Sequence, residues 1–209
     1  MTLYLGIDES ILRVRKREQA FIYVGTFTKD DSQGEERKNL SKIREERKLN
    51  LNCLAGFLFG VFLFDNSRKK EIITGSKNYK QFQSVYTLID EGFSGAENLG
   101  ILNETENIKI EIDGHDTYRI GEPLKKSFKG TKYENRLDFN FIEKGDQNFS
   151  IINQADMIAY FLRELKGIEN GIDSDLQKRG LEALLNEKNP TPIKRITPYH
   201  LAYPFGRAA

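Results

Sequence analysis

Apolar and polar residues alternate from the first positions of the chain. Leu3, Leu5 and Ile7 are separated by Tyr4 and Gly6, and the run closes in Asp8 and Glu9. A period of two predicts a strand. A second alternating run over 19–28 sets Phe21, Tyr23, Gly25 and Phe27 against Ile22, Val24 and Thr26. The short connection between the two runs predicts that they pair antiparallel. The run Ser84-Val-Tyr-Thr-Leu-Ile89 repeats the opening, apolar residues leading into Asp90 and Glu91, and is read as a strand ending in acids. Ser94 and Glu97 then have capping-box spacing, which predicts a short helix to about Asn103. Alternating runs at 108–112 and 137–142 predict two more strands. Strand, helix and strand in this order imply a parallel crossover, and with it an α/β or mixed sheet.

Elsewhere the period is helical or absent. Residues 35–48 are dense in charge and predict an exposed helix, while the apolar run 49–64 fits either a helix or strands. In 150–165, Ile151, Ala155, Ile158, Ala159 and Leu162 share one face at 100° per residue, with Asp156 on its border beside Ile152 and Arg163. With Asn153 as a cap, Asp156 would instead serve the dipole of the first turn. Another helix is expected at 176–188, with Leu181, Leu184 and Leu185 inward. Residues 113–136 read as a long loop or an irregular hairpin and 167–175 as a loop, and Pro190, Pro192 and Pro198 make 189–209 an extended tail after a single domain over 1–188. That tail can dock on the body or on a neighbouring subunit, which keeps a homodimer open.

Composition narrows the chemistry. The 32 basic and 31 acidic residues cancel to a net charge of +1, so any contact with a polyanion must come from local clusters. One cysteine, Cys53, allows no internal disulfide, and with only His115 and His200 a Cys/His zinc site is excluded. Any metal should be a hard cation held by oxygen. The longest apolar stretch, 51–64, is too short to span a bilayer, and no secretory signal is visible at the N-terminus. A cytoplasmic protein with no membrane partner is the expectation.

Adjacent carboxylates repel unless a cation stands beside them, so Asp8 with Glu9 marks a candidate metal site, and Asp90 a second contributor at the end of its run. Functional groups of such sheets gather at the carboxyl ends of strands. Arg13, Arg15 and Lys16 follow the first acid pair closely enough to grip phosphates, and Lys125 and Lys126, with Lys129 and Lys132, form a second basic cluster. His115-Asp116 is a candidate proton-transfer pair.

The opening Ile7-Asp-Glu-Ser10, the Ile89-Asp-Glu91 of mid-chain and above all Ile152-Asn-Gln-Ala-Asp-Met-Ile-Ala-Tyr160 resemble the DUF3800 group of ribonuclease H-like proteins. Members typically begin with a strand closing in Asp-Glu-Ser and carry a late Gln-x-Ala-Asp-x-(Ile/Val)-Ala helix. Here Ile11 stands where a glycine often follows. The opening Asp-Glu is also similar to that of ribonuclease HII, without its glycine-rich continuation. The resemblance implies a ribonuclease H-like mixed sheet of five strands flanked by helices, with Asp8, Glu9, Asp90 and Asp156 converging at one edge. It further implies two Mg²⁺ or Mn²⁺ ions bridged by Asp8 and a nuclease acting on RNA, DNA or a hybrid. A catalytically silent binding module on the same scaffold, or a phosphatase using the same acids, stays open.

Overall fold

The computed structural model describes residues 1–15, 18–35, 53–65, 77–98, 100–114, 120–169 and 192–196. The two alternating runs form a long hairpin, β1 (Thr2–Arg15) and β2 (Glu18–Thr28), paired antiparallel with Asp8 opposite Val24. The run apolar on all sides becomes β3 (Gly56–Asp65), antiparallel to β2. The chain then crosses over through helix α2 (Lys77–Asn98) to β4 (Asn107–Asp113), which lies parallel to β1 on its other flank. Helix α3 (Gly121–Ser127) leads to β5 (Leu137–Ile142), parallel to β4. Two short elements complete the set: α1 (Asp31–Gly34) after the hairpin and β6 (Pro192–Ile196), parallel to β3. Helices α4 (Gly145–Asn148) and α5 (Ser150–Glu169) follow β5. The order is β5-β4-β1-β2-β3-β6, a mixed sheet flanked by helices as the sequence predicted, with a short sixth strand at its edge.

The two faces of the sheet bury different helices. Leu3, Leu5 and Ile7 of β1 and Ile108, Ile110 and Ile112 of β4 pack with Val85, Leu88, Ile89 and Phe93 of α2 and with Leu124 of α3. On the other face, Ile22 and Val24 of β2 pack with Ile151, Ile152, Ala155, Ile158 and Ala159 of α5. Because side chains alternate along a strand, Asp8 lies on this second face, between Gly6 and Ser10.

Four sequence expectations are corrected. Residues 84–90 are helix, not strand: Val85, Leu88, Ile89, Phe93 and Ala96 are all buried, and their spacing is that of one helical stripe. Ser94 is therefore inside α2 and starts no helix of its own. Strand β1 does not end at the acid pair but runs on to Arg15, paired with β2. The expected loop 113–136 contains α3. The helices expected at 35–48 and 176–188 and the pair His115-Asp116 lie outside the described residues, save Glu35 itself. No helix among the described residues is long and apolar enough to cross a membrane.

Candidate functional site

Helix α5 seats unusually close to β1, and this places its second turn over Asp8. A Cβ on Gly6 would stand 2.8 Å from the main-chain carbon of Ile151, so only glycine admits the helix at this distance. Thr26 Oγ1, fully buried on the neighbouring strand, donates to the Ile151 carbonyl at 2.7 Å. Asp156 follows five residues later, in the helix interior; α5 begins at Ser150, so Asn153 is no cap. Instead Asn153 Nδ2 donates to the Asp146 carbonyl at 3.0 Å and ties α5 to α4.

A third carboxylate arrives from β4. The parallel ladder pairs Ile7 with Ile112, so the next residues, Asp8 and Asp113, lie side by side where β4 ends. Asp113 Oδ1 accepts from Gly145 N at 2.5 Å and from Asp146 N at 3.3 Å. Lys144, at φ 54°, turns the chain into α4 so that both N–H groups face that oxygen. A Cβ on Gly145 would sit 3.0 Å from the same oxygen and 2.6 Å from Ile152 Cδ1, so a larger residue would push the tip of Ile152 aside and crowd the carboxylate.

The electrostatics follow from this packing. Asp8 is 8% exposed, and its Oδ1 accepts from Glu9 N at 2.6 Å. Burial, then the charges of Asp113 and Asp156, hold its carboxyl well above the usual range; the Glu9 N–H pulls the other way, and Asp146 adds to the rise. Asp113 is raised as well, by burial and by Asp146, against the N–H groups it accepts from. Asp8 thus stands in a field of three further carboxylates, a setting that favours a cation or a proton.

The structure brings Asp8 and Asp156 together and leaves Glu9 and Asp90 apart from them. Glu9 follows Asp8 in an unbroken strand, so its side chain leaves toward the opposite face. Asp90 is exposed on α2, where it acts on Tyr86 and Tyr133 and is raised by burial and by Glu91. Since α2 and α5 cover opposite faces, the sheet stands between Asp90 and Asp8. Lys125 and Lys126 are exposed in the last turn of α3, on the α2 side, where they favour the helix dipole. Arg13 and Arg15 lie on the far end of β1, and Lys16 lies outside the described residues.

The comparisons with known proteins add a likeness and two blanks. No protein-family model matches the chain, so the DUF3800 resemblance rests on the residues that carry it. No curated protein matches. Among solved structures the chain is similar to the ribonuclease H2 from Pyrococcus horikoshii OT3, at 14% identity and a TM-score of 0.47 over 92% of this chain and 91% of that one. That likeness assigns no residue roles.

Asp113 and Asp146 are the acids that sequence reasoning missed. Asp113 had a signal, since the run 108–112 alternates cleanly and closes in a carboxylate as the opening run does. For a metal, the donors fit a hard cation: four carboxylates, one of them buried, acting on each other by repulsion. Their side chains are not drawn into a coordination shell, since among the described residues no group of three or more His, Cys, Asp or Glu stands close enough to hold an ion.

Proposed function

We propose that the chain is a metal-dependent nuclease, belonging with the DUF3800 group it resembles, with Asp8, Asp113, Asp146 and Asp156 as the carboxylates of its site. The observation that carries this reading is the placement of the buried Asp8 beside Asp113 at the end of β4 and under α5, where burial first, and then the charges of Asp113, Asp156 and Asp146, raise its carboxyl. Nothing in a hydrophobic core requires such a grouping, and it costs stability unless a cation offsets it. Asp8 would be the central ligand. Asp113 would be pre-oriented by the Gly145 and Asp146 N–H groups on its Oδ1. Asp156 closes the site from α5. Asp8, Asp113, Asp146 and Asp156 would hold Mg²⁺ or Mn²⁺, which would supply Lewis-acid chemistry toward the phosphate and an attacking water. The substrate class is a phosphodiester of RNA, DNA or a hybrid.

The test is cleavage of labelled RNA, DNA and hybrid strands with Mn²⁺, beside a thermal-shift titration with the ion. Metal-dependent products and a rise in Tm are expected in the wild type, and neither in Asp8→Asn. The spread of the carboxylates favours a second reading, a silent nucleic-acid- or protein-binding module, and an ion-independent Tm with no products would select it.

A further inference from the structure

Beyond the acids, the same strip of surface carries a cation and an aromatic ring. Ser10 is the next residue after Asp8 on the face that α5 covers, about 7 Å along the strand. Arg163 follows Asp156 by seven residues on α5, two turns on and within about 20° of the same line, about 10 Å away. The two meet: Arg163 Nη1 lies 3.4 Å from Ser10 Oγ. The Arg163 guanidinium also sits over the Tyr160 ring at 4.8 Å from its centroid, and that ring is 44% exposed. Among the described residues, only Met1 and Ile11 are other large apolar side chains so open to water.

We propose that Tyr160, Arg163 and Ser10 form a nucleotide-binding subsite that holds the single strand adjoining the scissile phosphate. This rests on the nuclease reading. The guanidinium offers several N–H donors in a planar fork suited to a phosphate, and its contact with the ring limits the orientations it must give up on binding. The Ser10 hydroxyl adds a donor beside it. The exposed ring gives a base a stacking surface, which tolerates any sequence because every base has a π-face. The arrangement also answers an electrostatic problem. A site built of carboxylates repels a polyanion, and a guanidinium two helical turns from Asp156 offsets that repulsion.

Binding is read apart from cleavage by measuring anisotropy of a labelled single-stranded oligonucleotide with Mn²⁺ in the Asp8→Asn background. There, Tyr160→Leu is expected to weaken binding roughly tenfold, and Tyr160→Phe to restore it. Arg163→Gln should make the dependence of log K on log salt shallower by about 0.7, with Arg163→Lys recovering that slope. In the otherwise wild-type enzyme, Tyr160→Leu should raise KM and leave kcat in place. If the parent binds and all four variants bind alike, the subsite is wrong while the nuclease reading stands. If the wild type cleaves nothing and the variants still show this pattern, the subsite stands without the nuclease. Absence of binding by every form overturns both.

Discussion

Thr26 Oγ1 and the main-chain oxygen of Ile151 are joined by a buried 2.7 Å hydrogen bond between residues 125 apart in sequence. It is a buried polar anchor of α5 on the hairpin, beside the Gly6 contact, and it helps to fix where Asp156 arrives. Thr26→Val keeps the shape and removes the donor. A loss of about 1 kcal/mol is expected by urea denaturation, since the Ile151 carbonyl retains its helix. An unchanged midpoint would show that packing alone seats the helix.

Gly6 should be less forgiving. A methyl there meets main-chain atoms of Ile151 and Ile152 at 2.8 to 2.9 Å, and backbone in a packed helix cannot swing aside. Gly6→Ala is expected to cost at least 1–3 kcal/mol and to lower metal affinity, because the helix must lift away from Asp8. Stability and metal-dependent Tm shift measured on one sample would check both effects.

Asp113→Asn and Asp90→Asn separate the structural site from the one the sequence pointed to. The first should reduce Mn²⁺-dependent cleavage by a factor of about 100 or more; the second, on the far face, should leave it within about twofold. The reverse ranking would return Asp90 to the mechanism.

The pH dependence of that cleavage has a defined sign. Asp8 and Asp113 hold their protons to higher pH than ordinary carboxyls, and an ion competes with those protons. Activity is therefore expected to fall with decreasing pH at values above the normal carboxylate range, and added Mn²⁺ should move this acid limb downward. Asp8→Asn, which removes the buried charge, should leave the metal-free protein equally stable or more stable at pH 8.

Glu111, two residues before Asp113 on the same face of β4, gives a test that reads the stability of the metal-free protein rather than cleavage. It is 5% exposed, its Oε2 has no hydrogen-bond partner, and burial pushes its carboxyl from 4.5 up to about 7. Between these values the folded chain holds a proton that the unfolded chain has released, so stability falls as pH rises through this window. Glu111→Gln should abolish that fall, leaving the variant on the order of 1–3 kcal/mol more stable at pH 8 and little changed at pH 4.5. Denaturation curves at the two pH values decide it.

Much of this architecture is legible in the chain, for reasons that also explain the misses. The hairpin announces itself because its two faces are buried against different helices and hold different side chains, giving a clean period of two. Helix α5 is legible because its apolar stripe is narrow, and Asp156 stands on the stripe's border. Asp90 misled because residues 84–90, taken as a short window, are apolar and partly β-branched; the helical period emerges only out to Ala96. Asp113 closes an alternating strand as Asp8 interrupts one, but only the parallel register with β1 makes them neighbours. Asp146 has no comparable mark, since its place depends on the left-handed turn at Lys144.

The two ladders of β1 are unequal in length. Its parallel partner leaves after Ile112, whereas its antiparallel partner accompanies it to Arg15, so the rim has a step with Asp8 at its foot. A rod-like polymer lowered onto that rim meets a rising wall on one hand and open ground on the other. Under the nuclease reading, that wall limits the tilt at which a strand can reach Asp8.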